Sequence, residues 1–339
     1  MKKIYLLILI ITLASIGFAG KVAVLQELNK PNALVVDGDK LFVTEGATIY
    51  IYSLKDFKLQ KKFGKEGEGP QEFKGGASLL ALPDHLLINS IHKVSFFTRD
   101  GKFIKEIRLE TSFLELYPFG ENFVGMVNAT EDKKRYTLFN IYDSNFEKVK
   151  EIHKAEFFFQ PKRGKVDPIA MVGPDGGSGG SPVFDNKFFL WGDKGVMDIF
   201  DIKGSKLYSI NLEIEKLKVT ENDKNRYLNF FKTHPNSREQ FEVLKKMFKF
   251  PDYFPLIRNT FITDNKIYIR TYKIENGKSK FYIFDLKGKL LKKVFLPIAE
   301  MNAIDKNPYT IKNGKIYQFI ENIDEEEWEL HVTELPTTD

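Results

Sequence analysis

The chain has 339 residues, no Cys, 14% aromatic and 29% charged content, and a formal net charge of +5. With 42% hydrophobic residues it can bury a sizeable core, which excludes a disordered chain. The lack of Cys excludes disulfide scaffolds, thiolate metal sites, a Cys nucleophile and a lipid-modified N-terminal Cys. At about 150 residues per domain the length suggests about two domains, although large all-β architectures run longer as one unit.

Residues 1–20 read as a secretory leader. Lys2 and Lys3 precede an apolar run from Ile4 to Phe18, and Gly17 and Ala19 are small residues at the −3 and −1 positions for cleavage after Ala19. The run is short for a membrane span, which needs about 20 residues. The mature chain, from Gly20, is therefore expected to be periplasmic or secreted, with no stable membrane span. Loss of Lys2 and Lys3 lowers the charge from +5 to +3, too small an excess to mark a nucleic-acid partner.

Downstream, two kinds of turn alternate. The first joins short apolar strands through Asp, Asn or Gly, and recurs at Asp37-Gly38, Pro83-Asp84, Glu121-Asn122, Asp185-Asn186, Asp264-Asn265 and Asn313-Gly314. Asp-Gly and Asn-Gly tolerate the positive φ angles that two-residue hairpins need. The second kind follows an aromatic or aliphatic pair with a polar residue, a short turn and a Lys-rich strand. Its copies begin at Ile51, Phe96, Ile141, Ile199 and Ile283. The strand after each alternates apolar and charged residues, so one face is wet and the strand is an outer one.

The unit is thus four antiparallel strands every 40 to 50 residues or so, the period of a propeller. Six inner hairpins accompany only five outer ones. The last unit supplies three strands, and an isolated strand at 22–28 is available to complete it and close the ring. The expected fold is all-β: one six-bladed propeller domain over residues 20–339, closed by the N-terminal strand. A pair of β-sandwiches is the alternative.

Two intervals between first-class turns exceed the period, 64 residues from Glu121 to Asp185 and 79 from Asp185 to Asp264. The former holds a Gly- and Pro-rich loop, 159–181. The latter carries a helical signal at about 220–250, between the fourth and fifth blades. Thr220 with Asp223, and Ser237 with Gln240, have capping-box spacing. Tyr227, Phe230 and Phe231 share one helical face, as do Phe241, Leu244 and Phe248, before the prolines of FPDYFP stop the helix.

The segment KKFGKEGEGPQEF (61–73) resembles the motif between blades in secreted bacterial six-bladed propeller proteins related to the NHL-repeat family. The matching positions are Phe63, Gly64, Gly67, Gly69, Pro70 and Phe73. FPDYFP, running on to Tyr268, is similar to a second stretch of that group. The resemblance implies the fold far more than an activity.

Motifs for chemistry are sparse. Gly64 to Gly69 lack the Lys-Ser/Thr of a P-loop and precede a strand, so they are expected to form a tight turn. The loop 173–181 could form a lid, yet Asp175 has no repeating acidic partners for calcium. None of the five His residues has metal-ligand spacing, and the acidic run 325–327 reads as a solvated hairpin tip. Six-bladed hydrolases hold calcium on Glu, Asn and Asp at the starts of innermost strands. Here those starts are read as Asn32, Lys74-Gly75-Gly76, Thr111-Ser112, Ser181, Arg258-Asn259 and Asn307, without a carboxylate. No cofactor and no metal is therefore expected.

Lys74, His92, Trp191 and Arg258 are the side chains expected to line the channel mouth. Lys74 and Arg258 would suit a small anionic ligand, Arg258 in bidentate fashion. Residues 203–250 hold 11 Lys and Arg against 6 Asp and Glu, a local +5. The function expected is an exported, non-catalytic propeller binding a ligand or an envelope protein on its loop-rich face, beside the insertion. A metal-dependent, lactonase-like hydrolase or a lyase is the alternative, and an envelope assembly component a third.

Overall fold

The polar residue that opens each outer turn has a specific local task. Asp143 Oδ1 accepts the amides of Asn145 and Glu147; Asp201 Oδ1 those of Lys203 and Ser205; Asp285 Oδ1 those of Lys287 and Lys289. A short side chain bonded to the backbone two residues on is the usual way Asp holds a turn. Each outer hairpin also carries a bulge at the equivalent place, at Ile51/Tyr52, Phe96/Phe97, Ile141/Tyr142, Ile199/Phe200 and Ile283/Phe284. Bulges sharpen the right-handed twist, so the same local chemistry bends every outer strand alike. In the inner turns, Asp185-Asn186, Asp264-Asn265 and Asn313-Gly314 all take positive φ.

A computed structural model describes residues 20–156, 166–171, 181–192, 195–299 and 307–337. The expected leader, 1–19, and residues 173–180 of the glycine-rich loop, with Asp175, lie outside the described residues. After β1 (Gly20–Val24) come five four-stranded antiparallel blades. The first is β2 (Ala33–Asp37), β3 (Lys40–Glu45), β4 (Thr48–Ser53) and β5 (Leu59–Phe63). The second is β6 (Ser78–Ala81), β7 (His85–Ser90), β8 (Lys93–Thr98) and β9 (Phe103–Arg108). The third is β10 (Glu115–Phe119), β11 (Asn122–Glu131), β12 (Lys134–Tyr142) and β13 (Lys148–Glu156).

A short helix, α1 (Pro168–Met171), precedes the fourth blade: β14 (Val183–Phe184), β15 (Lys187–Trp191), β16 (Val196–Phe200) and β17 (Lys206–Asn211). Helices α2 (Glu221–Thr233) and α3 (Phe241–Met247) follow. The fifth blade is β18 (Asn259–Thr263), β19 (Lys266–Glu275), β20 (Lys278–Asp285) and β21 (Leu290–Leu296). The sixth takes β22 (Tyr309–Lys312), β23 (Lys315–Asn322) and β24 (Glu327–Glu334) from the C-terminal part and β1 as its outer strand, in the order β1-β24-β23-β22. The innermost strands β2, β6, β10, β14, β18 and β22 meet their neighbours in sequence, and β22 returns to β2. The fold is a six-bladed β-propeller, closed as expected.

The closing strand begins and ends earlier than the 22–28 expected from sequence. It leaves the sheet after Val24, and Leu25 and Leu28 turn inward, 1% and 3% exposed, into the core between the sixth and first blades. Trp328 packs there and donates its indole N–H to Asn29 O at 2.8 Å. Lys21 reaches Glu329 at 2.8 Å across the seam.

The motif resembling propeller linkers forms a wedge between the first two blades. Phe73 is fully buried, edge-on to Phe97 in the core between those blades. Gly64 has φ +85°, and a Cβ there would lie 2.5 Å from Ala47 O and 2.6 Å from the Phe73 ring. The Gly69 amide donates to Glu72, which pairs with Lys65, and Lys93 Nζ donates to Gly69 O. Gly67 takes φ +148° and Pro70 is exposed. The turn binds its own carboxylates, as the expected tight turn should.

In the insertion, Thr220 and Asp223 form the expected reciprocal capping box. Ser237 does not. Its hydroxyl donates to Phe231 O, the carbonyl of the preceding helix, so residues Arg238–Gln240 form a 3₁₀ turn without a side-chain cap. Tyr227, Ile169, Val219 and Phe254 make a small core that ties α1 to α2 and to the segment leading into β18.

Trp328→Ala is expected to cost about 3–5 kcal/mol in chemical denaturation, against no more than about 0.5 kcal/mol for Ile323→Ala at the exposed tip of the same hairpin. Glu329 is held down to about 2 by hydrogen bonds from Lys21 and then His331. Its unfolded value is the ordinary 4.5, so its stabilisation is full above pH 4.5 and lost as pH falls toward 2. The melting-temperature deficit of Glu329→Gln at pH 7 should shrink over that window and vanish near its lower end.

Candidate functional site

The six innermost strands surround a central cavity of about 590 Å³. Every blade is threaded the same way, so these strands all start at one end of the ring. The insertion and the other connections between blades lie at that end too. Apolar side chains, among them Leu34, Val35, Leu79, Leu80, Phe261 and Ile311, make up most of the wall. Such a volume and lining are typical of small-molecule sites.

Polar groups collect where the strands begin. Asn32, Glu115, Ser181 and Asn307 all line the cavity there. Asn32 Oδ1 is occupied by the Gly46 amide, and Ser181 Oγ by Val183. Asn307 is only 4% exposed, and its Oδ1 has no hydrogen-bond partner among the described residues. A buried carbonyl left unpaired costs about 1–3 kcal/mol, so it calls for a donor. Glu115 accepts a hydrogen bond from Tyr117, two residues along β10 on the same side of the strand. Burial raises the Glu115 carboxyl above its ordinary 4.5, and the Tyr117 hydroxyl partly offsets that. Burial, then the adjacent carboxylate, drives Tyr117 well above the phenol value, so the hydroxyl keeps its proton.

Glu115 corrects one sequence expectation. Thr111 and Ser112 were read as the start of the third innermost strand, but Leu114 N first pairs with Met126 O and β10 begins one residue later. A carboxylate therefore does lead an innermost strand. At the other end of the cavity Asp37 is bound by Arg99 at 2.7 Å, and Lys312 is the cation of the lining.

None of the four side chains expected at the channel mouth lines the cavity. Lys74 is exposed and paired with Glu68. His92 sits in the β7–β8 turn, as expected, exposed and with φ +56°. The Ile91 amide donates to Lys74 O, so these two residues are neighbours. Trp191 and Arg258 lie instead between the fourth and fifth blades. The Trp191 indole N–H donates to Thr260 Oγ1 at 3.0 Å. Arg258 is 5% exposed with its guanidinium 5.5 Å from the Tyr272 ring centroid, beside the insertion core. Sequence reasoning also passed over Arg270, 1% exposed and bound through Nε and Nη2 to Ser279 Oγ. Its signal in the sequence was a cation directly after the apolar run Ile267-Tyr268-Ile269.

Among the described residues, no group of three His, Asp or Glu side chains could hold a metal ion, and no helix is long and apolar enough to cross a membrane. The sequence matches no protein-family model, and no curated protein matches it. Solved structures do. A luciferin-regenerating enzyme aligns with TM-score 0.50 and 10% identity over 94% of this chain and 95% of its own. BBS1N, solved in complex with ARL6DN, gives 0.40 and 14% over 92% and 79%. BamB from Moraxella catarrhalis gives 0.33 and 11% over 89% and 71%. The likeness to the luciferin-regenerating enzyme shows the fold alone.

Because the folded-state value of Glu115 is raised, the carboxyl costs stability increasingly as pH rises from 4.5, where the unfolded chain ionises, and fully above the folded-state value, whereas below pH 4.5 it is neutral in both states. Glu115→Gln should melt above the parent chain at pH 7, and the gain should disappear below pH 4.5.

Proposed function

We propose that this is an exported, non-catalytic propeller that binds a small organic ligand in its central channel, entered from the end where the insertion lies. The observation that carries this reading is the channel itself: about 590 Å³, walled mainly by apolar side chains, with an unpaired buried acceptor, Asn307 Oδ1, at one end. A mostly apolar concavity with a few fixed polar groups is how proteins orient small ligands. Export rests on the leader pattern in residues 1–19. Cleavage after Ala19 would leave Gly20, the first residue of β1, so the closing strand would remain whole. Kinship with NHL-related secreted propellers remains part of this proposal, resting on the 61–73 motif.

The small anionic ligand expected from Lys74 and Arg258 finds no cation among the described residues that line the upper end, where the innermost strands start. An envelope protein docked on the insertion face is the competing occupant. Thr310 lines the channel, belongs to no core cluster and lies on a strand, where an aromatic side chain is tolerated. Thr310→Trp should therefore fold and fill the cavity.

In a fragment screen read by protein-observed NMR, hits on the parent chain should shift channel residues, and Thr310→Trp should weaken them by about tenfold or more. Hits indifferent to that substitution would overturn the channel reading. Calcium recovered one-to-one in elemental analysis would favour the metal-dependent hydrolase instead.

A further inference from the structure

We propose that the upper end of the channel selects an ammonium group, so that the ligand is a small amphipathic amine with an alkyl or aryl tail; this rests on the channel reading above. Three observations converge on that class. First, Glu115 starts the third innermost strand and Asn307 immediately precedes the sixth. Blades three apart in a ring of six stand opposite one another, so these oxygens belong to facing walls.

Second, both want donors. Asn307 Oδ1 is partnerless among the described residues, in a side chain 4% exposed. Glu115 receives Tyr117's proton on one oxygen, which leaves the lone pairs of the other for a ligand. An ammonium carries three N–H donors and no acceptor, and hydrogen bonds to a carboxylate are the strong kind. Third, among the described residues the lining offers no competing cation at this end. Lys312 lies at the opposite end of its strand, and Lys74 and Arg258 are outside the cavity. Below the polar end, the half-buried Val35, Leu80, Ala81 and Phe184 give a tail apolar surface to bury.

A carboxylate would face the like-charged Glu115, and the side-chain donors at this end among the described residues, the amide N–H groups of Asn32 and Asn307 and the already committed Tyr117 hydroxyl, carry no charge to offset that repulsion. A neutral alcohol could satisfy Asn307 and would gain nothing from the charge on Glu115. The three classes are therefore separable with one tail.

The test is isothermal titration calorimetry at pH 7.5 with hexylamine, 1-hexanol and hexanoate, on the purified chain and on the Glu115→Gln and Thr310→Trp variants. Circular dichroism melts establish that each variant is folded. Hexylamine should bind about tenfold or more tighter than 1-hexanol, and Glu115→Gln should erase most of that advantage while leaving 1-hexanol unchanged. Hexanoate binding as tightly as the amine would overturn the inference, as would an amine affinity indifferent to Glu115→Gln. If hexanol or hexanoate binds and Thr310→Trp abolishes it, the channel reading stands and only the amine preference falls. If no probe binds, or Thr310→Trp changes nothing, both fall together.

Discussion

The rest of the structure depends on pairing between chain segments some 300 residues apart. β24 would be an open sheet edge without β1, and the sixth blade would offer unpaired N–H and C=O groups to any passing strand. Antiparallel pairing from Gly20 with Val332 to Val24 with Glu329 removes that edge. Bringing such distant segments together costs loop entropy, though this grows only logarithmically with separation. Several local interactions offset it: Leu25 N donates to Trp328 O, Trp328 Nε1 to Asn29 O, and Lys21 pairs with Glu329. With the seam sealed, each innermost strand is held between two neighbours. The channel width is then a property of the ring rather than of any one blade.

Where the ring departs from six-fold repetition, the departures support one another. The connection into the fourth blade and the one into the fifth both leave the propeller at the same end. They share a core of Ile169, Val219, Tyr227 and Phe254, reinforced by Phe254 stacking on Tyr272 at 4.8 Å. Val166 also forms a parallel bridge with Phe248. Tyr272 lies on the extended end of β19, which rises beyond the ring to meet this core. The helical segment therefore packs over the shoulder between blades four and five. Tyr227 is spent on that contact, whereas Phe230, Phe231 and Phe248 pack on one another within the insertion.

Electrostatics then separates the channel from its rim. Some of the rim's lysines are neutralised locally, as Lys74 by Glu68 and Lys280 by Glu215. Inside, desolvation works against charge, and the groups that remain at the strand starts are acceptors: the Glu115 carboxyl and the Asn307 amide oxygen. A basic protein overall thus has an acceptor-rich interior end, a contrast invisible in its net charge.

Turn chemistry and period were legible in the sequence because both are largely local. Asp143, Asp201 and Asp285 hold their turns through bonds two and four residues away, and Asn313-Gly314 takes the positive φ angles its residue types favour, with the Asp264 carboxylate of the neighbouring blade accepting both of its amides. From these repeats, six blades and their closure by the N-terminal strand followed. The functional end of the channel was not legible, because where an innermost strand starts is decided across the sheet. Leu114 pairing with Met126 put Glu115, rather than Thr111 or Ser112, at the head of β10. Likewise Trp191 and Arg258 were exposed polar anchors only as long as their neighbours were unknown. Thr260, Tyr272 and the insertion core, from other blades and connections, decided that they would be covered. Sequence patterns report backbone geometry within a hairpin; which side chain meets solvent in a ring is set by the blades on either side.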